Sequence, residues 1–202
     1  MTVLDFFQFL FRMNISGSQM LRDIAVLRSE TSELKKLLIP FTPEEMELLS
    51  LNQSNQVRKK SFGKIVKGIF DTIYYEPLVV YGIKTYSNHQ KLILIATTTD
   101  EFIYLTKQST THVYMNNVEA GVLTHDGAFY NVRQQLIARV DGADQLATHS
   151  VWIRGKDVGF ISNPKFAAAT VPRAYSLLKS MDQDERNIFL CLTLINLVEE
   201  AQ

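Results

Sequence analysis

The spacing of apolar residues changes twice along the chain. Up to about residue 56 they recur every three or four positions, which is the period of an amphipathic helix. From about Thr72 to Asn163, short runs rich in Ile, Val, Tyr, Phe and Thr are separated by turn residues, which is typical of strands. Helical spacing returns after Pro172. The pattern predicts an N-terminal helical region over residues 1–56 and a β-rich domain over residues 57–202 that ends in a helix.

The first predicted helix is amphipathic and has a wide apolar face. Asp5, Gln8 and Arg12 fall on one side, at spacings of three and four. Such a helix can anchor at a membrane interface, dock in a partner's groove or cover its own domain. Its neutral charge favours docking to a protein, because interfacial helices are usually cationic. The candidate docking residues are Phe6, Phe7, Leu10 and Phe11.

The second predicted helix carries a stripe with the alternating spacing of a coiled-coil seam. Two interpretations are open: the stripe is a seam for self-association, or it packs on the chain's own domain. A third helix is predicted to begin at Thr42, with Glu45 completing a capping box, and to extend through Leu51. The seam candidates are Met20, Ile24, Leu27, Leu34 and Leu38, with Thr31 in the middle.

The strand region predicts about nine or ten short antiparallel strands and contains an internal repeat. Val113–Leu123 (VYMNNVEAGVL) aligns without gaps on Val151–Ile161 (VWIRGKDVGFI). Each copy has a two-residue turn, Asn-Asn or Arg-Gly, and then reaches a glycine, Gly121 or Gly159. Each copy therefore predicts a β-hairpin. An array of this kind closes as a barrel or a sandwich.

The C-terminal helix lacks a clean polar face. Nine of the eleven residues from Ile188 to Val198 are apolar, and Asp182 with Glu185 forms a capping-box pattern just before them. A helix that is apolar all round must be enclosed, and this one is too short to span a bilayer. The predicted fold class is therefore α+β, mainly β: an antiparallel barrel-like sheet around a hydrophobic C-terminal helix, preceded by N-terminal helices.

Composition narrows the function classes. The chain has 21 basic and 21 acidic residues, which argues against a dedicated nucleic-acid binder because such proteins carry a basic excess. The single cysteine, Cys191, indicates a reducing compartment. The N-terminus lacks the basic region and cleavage pattern of a signal peptide. We expect a cytoplasmic protein that can be peripheral to the inner face of a membrane.

The strongest local charge pattern lies just after the N-terminal helices. Five basic residues fall within ten positions, interleaved with aromatic and aliphatic residues. Such a segment can attach a protein to an anionic membrane surface, at about 1 kcal/mol per basic residue. The alternative is a solvated connector whose apolar residues plug the barrel. The candidate residues are Arg58, Lys59, Lys60, Lys64 and Lys67.

The sequence has no catalytic signature. Nucleophile-elbow, P-loop and dinucleotide-binding motifs are missing, and the four histidines do not have metal-ligand spacing. His125-Asp126-Gly127 resembles a catalytic pair but fits a turn after a strand better. These observations predict no enzyme activity, no metal and no cofactor.

Consecutive hairpins, in which a glycine is followed by two apolar residues, precede the C-terminal segment MDQDERNIFLCLTLINLVEE. This order resembles the tubby C-terminal-like superfamily over about Thr72–Ala201. That superfamily includes tubby, the phospholipid scramblases and the LURP-one-related proteins. The resemblance implies a barrel wrapped around a hydrophobic helix and non-enzymatic work at membranes, with phosphoinositide binding in tubby and lipid-linked roles in scramblases. The block FTPEEMELLSLNQ…EPLVVYGIK also resembles uncharacterised bacterial proteins.

Two functional hypotheses follow. The first is a non-catalytic binding or scaffold protein that reaches partners, further copies of itself or a membrane surface through its N-terminal helices. The alternative is a lipid-binding or lipid-moving module of the scramblase or tubby type.

Overall fold

The computed structural model describes residues 17–59, 64–86, 90–107, 109–142, 146–166 and 172–200. Three helices lie in these ranges: α1 (Gly17–Lys35), α2 (Pro43–Glu47) and α3 (Gln183–Glu200). The same ranges contain a short 3-10 helix at Pro164–Phe166 and twelve strands. The strands are β1 (Leu49–Lys59), β2 (Lys64–Thr72), β3 (Pro77–Thr85), β4 (Lys91–Ala96), β5 (Glu101–Lys107), β6 (Thr110–Met115), β7 (Val118–Thr124), β8 (Ala128–Tyr130), β9 (Leu136–Asp141), β10 (Thr148–Ile153), β11 (Lys156–Ser162) and β12 (Tyr175–Leu177).

The strands form one antiparallel sheet in chain order, from β1 to β12. The first and last parts of the sheet meet: Ser50 and Arg173 form an isolated antiparallel bridge. The Ala174 amide donates to the Leu49 carbonyl at 2.8 Å, and the Leu51 amide donates to the Pro172 carbonyl at 3.0 Å. These bonds almost close the sheet into a barrel, which leaves few unpaired edge groups.

The barrel begins earlier in the chain than the hydrophobic pattern predicts. Strand β1 starts at Leu49 and crosses the boundary predicted near residue 57. Helix α2 ends at Glu47, so it does not extend through Leu51. The sheet has twelve strands and not nine or ten, because β1, β2 and β12 add to the predicted set. Polar groups in β1 obscure its alternation: Ser50, for example, is buried and donates to the Asp71 carbonyl at 2.8 Å.

Helix α3 lies in the inner layer of the barrel. Every residue from Ile188 to Val198 is buried except Asn196, which is half-buried. Their side chains form one core cluster with inward-facing residues from strands around the whole sheet. The ring of Phe189 meets that of Tyr175 edge-on, with centroids 5.1 Å apart. An apolar helix enclosed in this way needs no polar face of its own.

Helix α1 forms an outer layer on β2 to β5. Its stripe packs against outward-facing side chains of the sheet, including Ile69, Leu94 and Ile103. Of the two arrangements left open for the stripe, the structure shows packing on the chain's own sheet. Its buried members are therefore not available as a seam for self-association. Met20, Ile24 and Leu27 are buried and Leu34 is half-buried; Leu38 is also buried, but it follows the end of α1 and is not part of the helix.

Ion pairs also link α1 to the outer face of the sheet. Asp23 Oδ1 accepts from Lys84 Nζ at 2.5 Å and Asp23 Oδ2 accepts from Tyr86 Oη at 2.7 Å. Further along the helix, Arg28 Nε donates to both carboxylate oxygens of Glu101 at 3.1 Å. The Asp23 carboxylate is buried, so its two partners offset much of the cost of removing a charge from water.

The two copies of the repeat form hairpins with the same irregularity. β6–β7 turns at Asn116-Asn117, with φ of 52° and 64°, and β10–β11 turns at Arg154-Gly155, with φ of 47° and 84°. Both turns therefore have positive φ at both positions, as in a type I′ turn. Each hairpin shifts register between a valine–glycine pair and the next pair toward the turn, which indicates a bulge. The predicted hairpins are confirmed.

The repeat glycines allow the next strand to approach. A Cβ on Gly121 would lie 2.1 Å from the Tyr130 carbonyl oxygen, on β8. A Cβ on Gly159 would lie 2.5 Å from the Ser176 carbonyl oxygen, on β12. Real Cβ atoms do not come this close to backbone oxygens. Both glycines are therefore required by packing between neighbouring strands.

Candidate functional site: the open end of the barrel

The end of the barrel where α3 begins is closed by polar groups that bond to one another. Asp182 Oδ1 accepts from the Glu185 amide at 2.8 Å, and Glu185 Oε2 accepts from the Asp182 amide at 3.2 Å, as the capping-box pattern predicts. The β10–β11 turn covers this end: Lys156 donates to Glu185 Oε1 at 2.9 Å, and Arg154 pairs with Asp184. The hydrogen bond from Lys156, followed by that from the Asp182 amide, lowers the pKa of Glu185.

The opposite end of the barrel holds a cavity. It has a volume of about 630 Å³ and opens between the last turns of α3 and the ends of strands β4 to β11. This volume falls within the range of small-molecule sites, about 300–1,000 Å³. Its apolar lining comes from Leu192, Ile195 and Leu197 of α3 and from Leu123, Val140 and Ile161 of the sheet.

The cavity exists because inward-facing residues become smaller or more polar toward this end. On β5 the inward row runs from the buried rings of Phe102 and Tyr104 to Thr106 at the open end. On β10 it runs from the buried Val151 to His149, which lines the cavity. Large side chains fill the closed half of the barrel, whereas the open half keeps free volume around the end of α3.

Three polar residues of the cavity wall lie side by side on neighbouring strands. Lys91 is directly opposite Thr106 across β4 and β5, and Thr106 is directly opposite Thr111 across β5 and β6. The two threonine hydroxyls are 3.0 Å apart, within hydrogen-bond distance. Lys91 is half-buried, and within the described parts of the chain no carboxylate lies within ion-pair distance of it. We call Lys91, Thr106 and Thr111 the polar row.

Sequence reasoning missed the polar row because its members are spread over three strands. The signal appears only once the inward side of each strand is known: each member is a polar residue that continues the inward row of apolar residues at the end of its strand. In β4 (KLILIA), Lys91 precedes Ile93 and Ile95 on the same side of the strand.

His125 and Asp126 lie at the cavity rim, in the turn between β7 and β8. The nearby Thr124 side chain, followed by a hydrogen bond from the Asp126 amide, lowers the pKa of Asp126. Both residues are exposed. The predicted turn at 125–127 is confirmed, and it places both polar side chains at the rim and not in the enclosed part of the cavity.

The basic segment is a hairpin and not a connector. Arg58 and Lys59 belong to the end of β1 and Lys64 to the start of β2, so all three positions lie at the open end. Lys60 falls outside the described residues. Lys67 faces α1, where it pairs with Glu30 Oε2 at 2.9 Å. Lys67 is therefore engaged inside the fold and does not extend the basic surface.

The N-terminal docking candidates, Phe6, Phe7, Leu10 and Phe11, lie outside the described residues. Helix α1, which follows them, begins at the open end of the barrel. Its first turns are held there by the bonds from Asp23 to Lys84 and Tyr86, at the end of β3 next to the loop that leads to β4. The start of α1, the basic hairpin and the mouth of the cavity therefore lie at one end.

Two further features bear on chemistry. Cys191 is buried in α3, and burial, followed by the nearby Asp100 charge, raises the pKa of its thiol to about 12. A thiol in this setting is not a nucleophile at neutral pH. Among the described residues, no group of three or more histidine, cysteine, aspartate or glutamate side chains is arranged to hold a metal ion.

The chain matches no family model, and it has no significant similarity to a curated protein or to a solved structure. Within the described ranges, none of the helices combines the length and the apolar character needed to cross a bilayer.

Proposed function

We propose that this protein is a non-catalytic binding module that attaches to an anionic membrane surface through the open end of its barrel. The observation that carries the proposal is the position of three features at one end: the basic hairpin, the start of α1 and the mouth of the cavity. Basic residues near an anionic leaflet contribute about 1 kcal/mol each, and stable attachment needs a second, apolar signal. The segment with Phe6, Phe7, Leu10 and Phe11 precedes α1 in the sequence and would supply that signal.

Membership of the tubby C-terminal-like superfamily is part of the proposal. The sheet of twelve antiparallel strands in chain order, with the C-terminal helix buried inside, supports it because this is the plan that the resemblance implies. A lipid-related role at the cytoplasmic face of a membrane would follow.

The non-catalytic character of the proposal is supported by the bonding of the cavity's polar groups. The Thr106 and Thr111 hydroxyls are within hydrogen-bond distance of each other, the Thr124 hydroxyl donates to the Ala128 carbonyl, and the side-chain Nδ2 of Asn163 donates to the Leu146 carbonyl. Groups bonded in this way stabilise the end of the barrel and are not arranged as a nucleophile beside a base.

Vesicle flotation tests the membrane proposal. We expect the full chain to float with vesicles of phosphatidylcholine and phosphatidylserine, and to float less with phosphatidylcholine alone. Reversing the charge at Arg58, Lys59 and Lys60 should abolish the difference. A matched control reverses three exposed basic residues at the closed end: Lys36, Arg133 and Lys179.

The two triple variants have equal net charge, so a loss confined to the first identifies the open end as the membrane-facing surface. Equal losses would indicate a general charge effect. A chain that floats with neither vesicle would refute the membrane proposal and favour a protein partner for the N-terminal segment.

A further inference from the structure

The cavity has a charged wall and an apolar floor. Lys91 belongs to the same inward row as the buried Ile93 and Ile95, so its side chain lines the cavity and not the outer surface. The floor is formed by α3, with Leu192 and Ile195. The site therefore offers a half-buried cation, Lys91, beside a non-polar surface in one partly open cavity, with a second and exposed lysine, Lys165, elsewhere in its lining.

The polar row has the chemistry of an anion site. Residues directly opposite on antiparallel strands have Cβ atoms about 4.5–5.5 Å apart, so the ammonium of Lys91 and the two threonine hydroxyls can reach one group. An ammonium presents three donors, and one of the two hydroxyl protons is used in the bond between the threonines, which leaves the other hydroxyl proton for the anion. Neighbouring lysines on the outer face, Lys67 and Lys84, are paired with carboxylates of α1. No such counter-charge from the described residues meets Lys91.

The acidic residues of the lining favour one placement of an anion. The exposed part of the lining holds two carboxylates, Asp126 and Glu199, against one lysine, Lys165, so it favours a negative charge less than the polar row does. An anionic group is therefore best placed against β4 to β6, where the polar row lies, and an attached apolar chain would follow the floor along α3. Hydrogen bonds to charged groups are stronger than those between neutral groups.

We propose that the cavity binds one single-chain amphiphile with an anionic head, such as a fatty-acid carboxylate. The head occupies the polar row, and the alkyl chain packs on Leu192 and Ile195. This inference does not depend on attachment to membranes: a chain that fails to float with vesicles can still bind a monomeric amphiphile, and the reverse also holds.

Displacement of a dansyl-labelled undecanoate tests the proposal with the full chain. Unlabelled straight-chain carboxylates, from hexanoate to hexadecanoate, are added below their micelle-forming concentrations. Affinity should rise about fourfold per added methylene while each new group leaves water. It should then level off when the chain fills the cavity. A rise that does not level off would indicate adsorption to an open surface and would overturn the proposal.

Variants of the polar row test the position of the head. Lys91→Met keeps an unbranched side chain, one atom shorter, and removes its charge, so carboxylate binding should weaken about tenfold or more. The matched control is Lys107→Met, at the end of β5 beside Thr106 but on the opposite face of the strand. The Lys107→Met variant should bind carboxylates with the affinity of the wild type. Dodecyltrimethylammonium, a cationic amphiphile, should displace the probe from the wild type poorly.

A second, independent variant keeps the test valid if Lys91→Met does not fold. Replacing both Thr106 and Thr111 by valine keeps Lys91 and the side-chain shape, and it should weaken carboxylate binding several-fold. Thermal unfolding establishes that each variant is folded. Unchanged affinity in both folded variants, or equal displacement by the cationic amphiphile, would overturn the proposal.

Discussion

Leu194→Asp tests whether α3 is the enclosed core of the barrel. Leu194 is only 1% exposed and belongs to the central cluster. The substitution loses the burial of a leucine side chain, worth about 1.5–3 kcal/mol, and introduces an unpaired buried charge, which costs about 3–5 kcal/mol. Together these effects remove about 5–8 kcal/mol from a total stability of about 5–15 kcal/mol. We expect the variant to be largely unfolded.

Circular dichroism and size-exclusion chromatography provide the measurement. The control is Val26→Asp, which also puts a charge in place of an apolar helical residue, but at a position that is 42% exposed. It should change stability by no more than about 0.5 kcal/mol. An unfolded aspartate variant provides no free energy of unfolding, so Leu194→Ala is measured as well. Its free energy of unfolding should be about 2–5 kcal/mol lower than that of the wild type. A folded Leu194→Asp variant that melts with the wild type would refute the enclosed position of α3.

Two further predictions concern the repeat and the closed end. Gly121→Ala and Gly159→Ala should each lower the free energy of unfolding, measured in urea, by about 3 kcal/mol or more, because the new Cβ meets a backbone oxygen of the next strand. Gly155→Ala is the control: its Cβ meets no atom, so only the left-handed backbone conformation is unfavourable, and the loss should be about 1–2 kcal/mol. Equal losses at all three positions would refute the packing explanation. Because the folded pKa of Glu185 is depressed, its contribution is present above the ordinary value of 4.5 and is lost as the pH falls through the folded pKa. Glu185→Gln should therefore reduce the acid dependence of stability, and an unchanged stability profile below pH 4.5 would contradict this assignment.

Some parts of the fold were predictable because their signals are local. The capping box at Asp182 and Glu185, the two repeat hairpins and the apolar run of α3 each depend on residues close together in the chain. The enclosure of α3 followed from one physical argument: an apolar helix too short for a bilayer must be surrounded by protein. Short runs rich in Ile, Val, Tyr, Phe and Thr also located most of the central strands.

The first hairpin could not be predicted in this way. Strand β1 (LSLNQSNQVRK) has few apolar residues, and several polar side chains in its first half bond to partners far along the chain. Gln53 Oε1 accepts from Tyr81 Oη at 2.9 Å, and the Ser54 hydroxyl donates to Asp71 at 2.9 Å. Periodicity detects apolar faces and does not detect hydrogen bonds between distant residues. The basic residues at the end of β1 therefore resembled a connector.

The candidate site shows the same limit and suggests how to reduce it. Lys91, Thr106 and Thr111 meet only because β4, β5 and β6 pair in one register, and no spacing along the chain reveals that. Once antiparallel pairing in chain order is assumed, however, polar residues that continue an apolar inward row must face the interior. A lysine in such a row costs stability unless something neutralises it. Lys91, half-buried at the end of β4, lies in such a row, and the proposed anion would offset part of this cost.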